Sequence, residues 1–136
     1  VTLRFFGSVE LESASEALCS VAASSTTAVL GPETGRFGKR ILHVPVDGLA
    51  DVAKAVVRAT KSVGKPPEPR PFNGHLTLGR ARDRRRGVDL RALVGTPIAA
   101  EWPVTEVCLV ESQMSSKGAS YEVVETLSLS GGRTLE

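Results

Sequence analysis

Aromatic side chains are scarce in this chain, only 4% of its 136 residues. That scarcity argues against an extended stacking platform for single-stranded nucleic acid, which needs a succession of rings. Cysteine is equally thin. Cys19 and Cys108 are the only two, and they show neither C-x-x-C nor Cys/His ligand spacing. Their apolar neighbours predict two buried thiols in a reducing compartment, and geometry alone can decide whether they pair. No apolar run approaches the roughly 20 residues of a membrane span, and no secretory signal is visible. A cytoplasmic protein with no membrane partner is expected. Charge is nearly balanced at +2, so any anion site must be local rather than a global pull on nucleic acid. No glycine-rich loop follows a strand, which removes the dinucleotide-binding and P-loop readings.

What remains is the composition of a globular protein, 41% hydrophobic and 24% charged, at a length that suits one domain and one sizeable core. Residues 1–7, "VTLRFFG", read as a strand ended by Gly7. Apolar residues at Ala14, Ala17, Leu18, Val21 and Ala22 recur at helical spacing and predict a helix over 11–23. Residues 26–31 read as a strand, and "PETGRFGK" as a loop. "RILHVPV" (40–46) is β-rich, and Pro45 suggests an edge or a strand end. Asp47 can cap a helix over 48–63, with Leu49, Val52, Ala53, Val56 and Thr60 as its inner stripe. Four prolines in "KPPEPRPF" (65–72) exclude helix or central strand. A strand "HLTLGR" (75–80) follows, then a basic loop and a short helix over 88–95 capped by Asp89. β-like runs finish the chain around "IAAEWPV", "TEVCLVES" and "YEVVETLSLS", with "QMSSKGAS" (113–120) as the loop between the last two. Trp102 reads as structural. The many strands joined by short turns indicate a mixed α+β class. The closing "RTLE" has the look of a cloning remnant, so residues 132–136 are read as a tail beyond a single domain over 1–131.

The chemistry concentrates in "HLTLGR". Alternate residues of a strand share a face, so His75 and Thr77 project together, roughly 6–7 Å apart, while Leu76 and Leu78 are expected to point into the core. Imidazole exchanges protons near neutral pH, and a hydroxyl can donate to a phosphoryl oxygen. An H-x-T pair therefore suits an anion undergoing acid–base chemistry. Arg80 has the wrong strand parity for that face. It joins His75 only if the strand ends or bulges near Gly79. The opening "VTLRFFG" also contains x-T-L in a strand context, a weak internal duplication.

These two stretches resemble the signature strands of the 2H phosphoesterases, in particular the RNA 2′,3′-cyclic phosphodiesterases, also called 2′-5′ RNA ligases (LigT-like). That family repeats H-x-T-L-x-F-L-G in its first half and H-x-T-L-[AG]-R in its second. "RPFNGHLTLGR" is similar to its R-P-F-x-P-H-L-T-L-A-R, with Asn73-Gly74 in place of x-Pro. "GRFGKRILHVPV" resembles the segment before its second helix. "VCLVESQMSSKGASYEVVETLSL" resembles its last hairpin, with Ser112, Gly118 and Tyr121 at matching places. The histidine of the first motif would fall one place ahead of Val1, and the family's opening strand and first helix would also precede it.

The resemblance implies a bilobal α+β fold, two pseudo-symmetric lobes of antiparallel sheet with outer helices around a central cleft. It implies metal-independent hydrolysis of RNA 2′,3′-cyclic phosphate ends to 2′-phosphates, with no cofactor, and with reversible 2′-5′ ligation as a side reaction. The expected partners are RNA ends or nucleoside 2′,3′-cyclic phosphates, met by a monomer in RNA processing. His75 would be one half of an acid–base pair, with base or acid left open. Thr2 and Thr77 would hold the non-bridging oxygens, and Arg80 would neutralise charge growing in the transition state. His43, the only other histidine, reads as a strand residue with a hydrogen-bonded ring, with base stacking as the alternative. It is not read as a replacement for the first-motif histidine. Phe37 and Tyr121 are candidates for base stacking or for core and hairpin packing. Arg82, Arg84, Arg85 and Arg86 either steer an RNA backbone or form a solvated loop. The rival to an enzyme is a binding module of the same fold that holds nucleotide or RNA ends without chemistry. A purely structural domain is the third option.

Overall fold

The computed structural model describes residues 1–81 and 89–131. In chain order the elements are α1 (Leu11–Cys19), β1 (Thr26–Leu30), β2 (Gly35–Phe37), β3 (Ile41–Asp47), α2 (Ala50–Thr60), β4 (His75–Arg80), a 3-10 turn (Leu90–Leu93), β5 (Ala100–Val104), β6 (Glu106–Ser115) and β7 (Gly118–Ser128). The fold is mixed α+β, with every pairing between these strands antiparallel. β2, β3, β1 and β5 are neighbours in that order, and β4 also pairs with β3. β6 and β7 form a separate two-stranded sheet. No helix among the described residues is long and apolar enough to cross a membrane.

Two apolar clusters hold these parts together. In the first, Ala14 and Leu18 of α1 meet Val52 and Val56 of α2 over Val107, Leu109 and Leu129. This is the helical stripe read from the sequence, buried on the inner face of the hairpin. In the second, alternate residues Ala28, Leu30, Val44 and Val46 line one face of the larger sheet beneath Leu49. Leu3 and Val104 touch both clusters. The opposite face of the larger sheet is open, and Val29 there is 44% exposed.

Several sequence expectations are corrected. Residues 1–7 form no strand. Strand propensity needs a partner ladder, and this segment is held differently. Arg4 reaches the carboxyl end of α2, and the Phe6 carbonyl accepts from the Lys65 amide. α1 stops at Cys19, where the Ser20 and Val21 amides turn back to Ala17 and Leu18. Asp47 does not cap α2, because it is still extended and paired with Val29; the N-cap position falls to Leu49. β3 is not an edge. Pro45 is tolerated because the facing chain breaks there, passing from Leu30↔Val46 to Gly35↔His43. The Gly31 amide donates to the Pro45 carbonyl on that side, so the amide that proline lacks would have faced the break.

The "PETGRFGK" loop contains β2, and most of the "QMSSKGAS" loop belongs to β6 and β7, leaving only Ser116 and Lys117 as the turn. Asp89 does cap the short turn, accepting from the Arg91 amide. Both cysteines are free and exposed rather than buried. Cys108 alternates with the buried Val107 and Leu109, so its side chain faces outward.

Candidate active site

β4 begins where Gly74 lies against β3. A Cβ there would come within 2.3 Å of the Val46 carbonyl oxygen, and the Gly74 carbonyl accepts from the Val46 amide. That close approach sets the register Pro45↔His75, Val44↔Leu76, His43↔Thr77. The strand then bulges. Leu42 pairs with Gly79 and Ile41 with Arg80, so Leu78 is an extra residue with no opposite number. Past a one-residue bulge the parity inverts. Arg80 therefore falls on the face of Ile41, His43 and Pro45, the same open face that carries His75 and Thr77. The sequence condition for Arg80 to join His75 is met by this bulge.

Leu76 and Leu78 depart from expectation. They are 37% and 47% exposed rather than sunk in the core. Leu76 does share the face of buried Val44. β4 pairs only with β3, however, so at this margin of the sheet the helices and Leu49 do not fully cover it.

His75 is half-buried, and its Nδ1 lies 2.8 Å from the Asn73 carbonyl oxygen. A carbonyl can only accept, so Nδ1 carries the hydrogen and Nε2 presents its lone pair. Around it stand two rings the sequence did not bring together. Phe37 and His43 stack with centroids 3.8 Å apart at 14°. The His75 ring meets Phe37 edge-on at 4.9 Å and His43 edge-on at 5.9 Å. Gly35 makes this stack fit, since a Cβ on it would lie 2.9 Å from His43 Cε1. Gly35 lies in the run read from the sequence as a loop, so its role beneath the stack was not legible there.

His43 lies in β3, as expected, with its ring against the Gly35 backbone. Its Nδ1 is buried and has no hydrogen-bond partner among the described residues. Burial, and secondarily the charge of a protonated His75, lower its pKa below the ordinary 6.5; a smaller contribution from the Gly35 backbone opposes them. A group whose pKa is depressed by folding binds fewer protons folded than unfolded. Its contribution to stability is whole above the ordinary value and is lost as pH falls through it. The unfolding midpoint is thus expected to drop between about pH 7 and pH 5. His43→Phe should flatten that part of the curve in thermal melts across pH. An unchanged slope would mean that His43 titrates normally.

The remaining candidates are more scattered. Thr2 is exposed and lies in no strand. Tyr121 is exposed on β7, across the hairpin from Ser112, and no ring contact joins it to the His75 cluster among the described residues. Arg82, Arg84, Arg85 and Arg86 lie outside the described residues. Among those described, no cluster of three or more His, Cys, Asp or Glu side chains could hold a metal ion.

A histidine, a threonine and an arginine are thus gathered on the open face of an antiparallel sheet. Solved structures share this fold. TT0787 of Thermus thermophilus superposes with a TM-score of 0.72 at 25% identity, covering 95% of this chain and 76% of its own. A crystal structure described as a phosphoesterase gives 0.68 at 21% identity, over 94% of this chain and 75% of its own. E. coli LigT in its apo form gives 0.66 at 22% identity, over 94% and 74%. This chain has the LigT-like 2H phosphoesterase fold, as the motif resemblance implied. No protein-family model matches the sequence, and no curated protein matches it significantly.

Proposed function

We propose that the protein hydrolyses RNA-type 2′,3′-cyclic phosphates to 2′-phosphates by acid–base catalysis on the open face of the larger sheet, with reversible 2′-5′ ligation as a side reaction in which a 5′ hydroxyl takes the place of water. The observation that carries this reading is the bulge at Leu78, which brings Arg80 to the face of His75 and Thr77. Without it the strand would offer a histidine and a hydroxyl but no cation for the anion. With it, a phosphoryl group over β4 meets a proton-transfer group at His75 Nε2, a hydroxyl donor at Thr77 and a guanidinium at Arg80. In the hydrolytic direction water forms a new bond to phosphorus and gives up a proton to a base. The bond from phosphorus to the ribose 3′ oxygen breaks, and that oxygen takes a proton from an acid. Thr2, from the first x-T-L stretch, is proposed as a second holder of the non-bridging oxygens.

The test is turnover of a nucleoside 2′,3′-cyclic phosphate. Activity is expected to survive excess chelator and to show a bell-shaped pH dependence. Arg80→Gln should lower kcat/KM by roughly 10²-fold, the scale for removing one donor that stabilises transition-state charge. Arg80→Lys should recover only part, because a lysine supplies charge without the planar fork. Arg80→Gln with wild-type kinetics would show that the bulge does not serve the anion. The competing reading, a nucleotide-end binding module, predicts tight binding of the cyclic phosphate without product. Isothermal titration alongside the turnover assay separates the two.

A further inference from the structure

We propose that an RNA ending in the cyclic phosphate leaves the site over the turn between β2 and β3, along Lys39 and Arg40, and not across β1 and β5. This path rests on the phosphoesterase reading above and deepens it, because it makes a longer RNA end a better substrate than a mononucleotide. Charge on the open face is ordered along β3. At one end of that strand Asp47 lies opposite Val29, and Glu101 lies opposite Val29 on its other side. Residues directly opposite each other share a face, so both carboxylates stand on the open face with Val29 between them. At the other end Ile41 pairs with Arg80, and Lys39 and Arg40 precede it in the turn from β2. These three cations are exposed, as are Asp47 and Glu101. No ion pair joins any of the three to another described residue. The Ala81 amide donates to the Arg40 carbonyl at 2.8 Å, which holds the end of β4 beside the turn. Gly38 has φ +57, and a Cβ on it would meet nothing within 4 Å, so the turn faces open space.

His75 and Thr77 lie between these two ends, opposite Pro45 and His43. At about 3.3 Å per residue, Asp47 is roughly 7 Å along β3 from Pro45, and Arg40 is roughly 17 Å away in the other direction. A 2′,3′-cyclic phosphate can only terminate an RNA, so the rest of the strand leaves in a single direction. Each further nucleotide adds one negative charge. Toward β1 and β5 those charges approach Asp47 and Glu101. Toward the turn they meet Arg40 and Lys39. All these groups are solvated, so the preference is salt-dependent. It acts on capture of the RNA and not on the chemical step.

The test compares a nucleoside 2′,3′-cyclic phosphate with a short oligoribonucleotide carrying the same terminal group. The quantity read is the ratio of their kcat/KM values. Both substrates meet the same preparation, so the folded fraction cancels. The wild-type ratio is expected to exceed one at low salt. Two phosphate contacts on a single strand give a slope of about −1.4 in log affinity against log salt, so the ratio should fall about 7-fold between roughly 50 and 200 mM. Lys39→Gln with Arg40→Gln should bring the ratio toward one and remove its salt dependence. Lys39→Glu with Arg40→Glu should drive it below one. A double variant that keeps the wild-type ratio and slope overturns the path and leaves the phosphoesterase reading standing. So does a Glu101→Gln protein whose ratio rises by as much as the glutamine pair lowers it, or a wild-type ratio of one or less. A wild-type protein that turns over neither substrate removes the phosphoesterase reading and this proposal with it.

Discussion

Replacing His75 with alanine is expected to lower turnover of a nucleoside 2′,3′-cyclic phosphate by about 10²–10⁴-fold, the range for losing one positioned acid–base group. Stability should change little. His75 is half-buried at the start of β4, and its ring makes one hydrogen bond, to a carbonyl two residues away. That bond orients the ring and contributes little to the core. A melt unchanged within a few degrees, together with collapsed kcat, would locate the effect in chemistry. His75→Asn is the sharper control, since its amide can still donate toward the Asn73 carbonyl but cannot exchange a proton near neutral pH. It should be as inactive as the alanine variant. Retention of a tenth or more of wild-type kcat in either protein would place the proton transfer elsewhere on the sheet face.

The largest stability effect is expected from Arg4→Ala. The Arg4 guanidinium donates from Nε to Thr60 Oγ1 at 2.9 Å. From Nη2 it donates to the carbonyls of Thr60 at 3.0 Å, Val63 at 2.7 Å and Lys65 at 3.1 Å. Carbonyls at the end of a helix have no partner within it, and a cation there also meets the negative end of the helix dipole. Thr60 is fully buried. Its hydroxyl donates to the Val56 carbonyl and accepts from Arg4, so alanine at position 4 removes that oxygen's donor and leaves it only the bond to Val56. Burial lowers the pKa of Arg4, yet a guanidinium remains charged at any pH of interest. Loss of charged hydrogen bonds with partly buried acceptors costs about 2–4 kcal/mol, roughly a 5–15 °C fall in Tm for a chain of this size. Arg4→Lys should recover less than half, because one ammonium cannot span the same set of acceptors. A melt within 2 °C of wild type, read against about 3 °C per kcal/mol, would mean that residues 1–7 are not docked on the end of α2.

The elements that sequence reading located well are those whose pattern repeats. The stripe Leu49, Val52, Ala53, Val56 and Thr60 was legible because burial on one side of a helix recurs every three to four residues, and all five are buried. β4 was legible as a short run between a proline-rich connector and a basic loop. The strand forecast for residues 1–7 failed because propensity describes a segment, whereas a strand requires a second chain alongside. The cysteines misled in a similar way. Their apolar neighbours face the core, but alternation turns Cys108 outward.

The candidate site divides along the same line. That His75 and Thr77 share a face follows from the two-residue period of any strand, so the short run "HLTLGR" determined it before any tertiary contact was known. The mixed α+β class and the motif resemblance were likewise written in local order. Three further features came only with the tertiary structure. A bulge is a mismatch between two strands and has no meaning in one, so the face of Arg80 waited for the register of β4 on β3. The meeting of His43, Phe37 and His75 depends on β2 and β4 flanking the same strand, which no spacing along the chain encodes. Capture of the end of α2 by Arg4 joins residues more than fifty positions apart, through acceptors that exist only once the helix has formed.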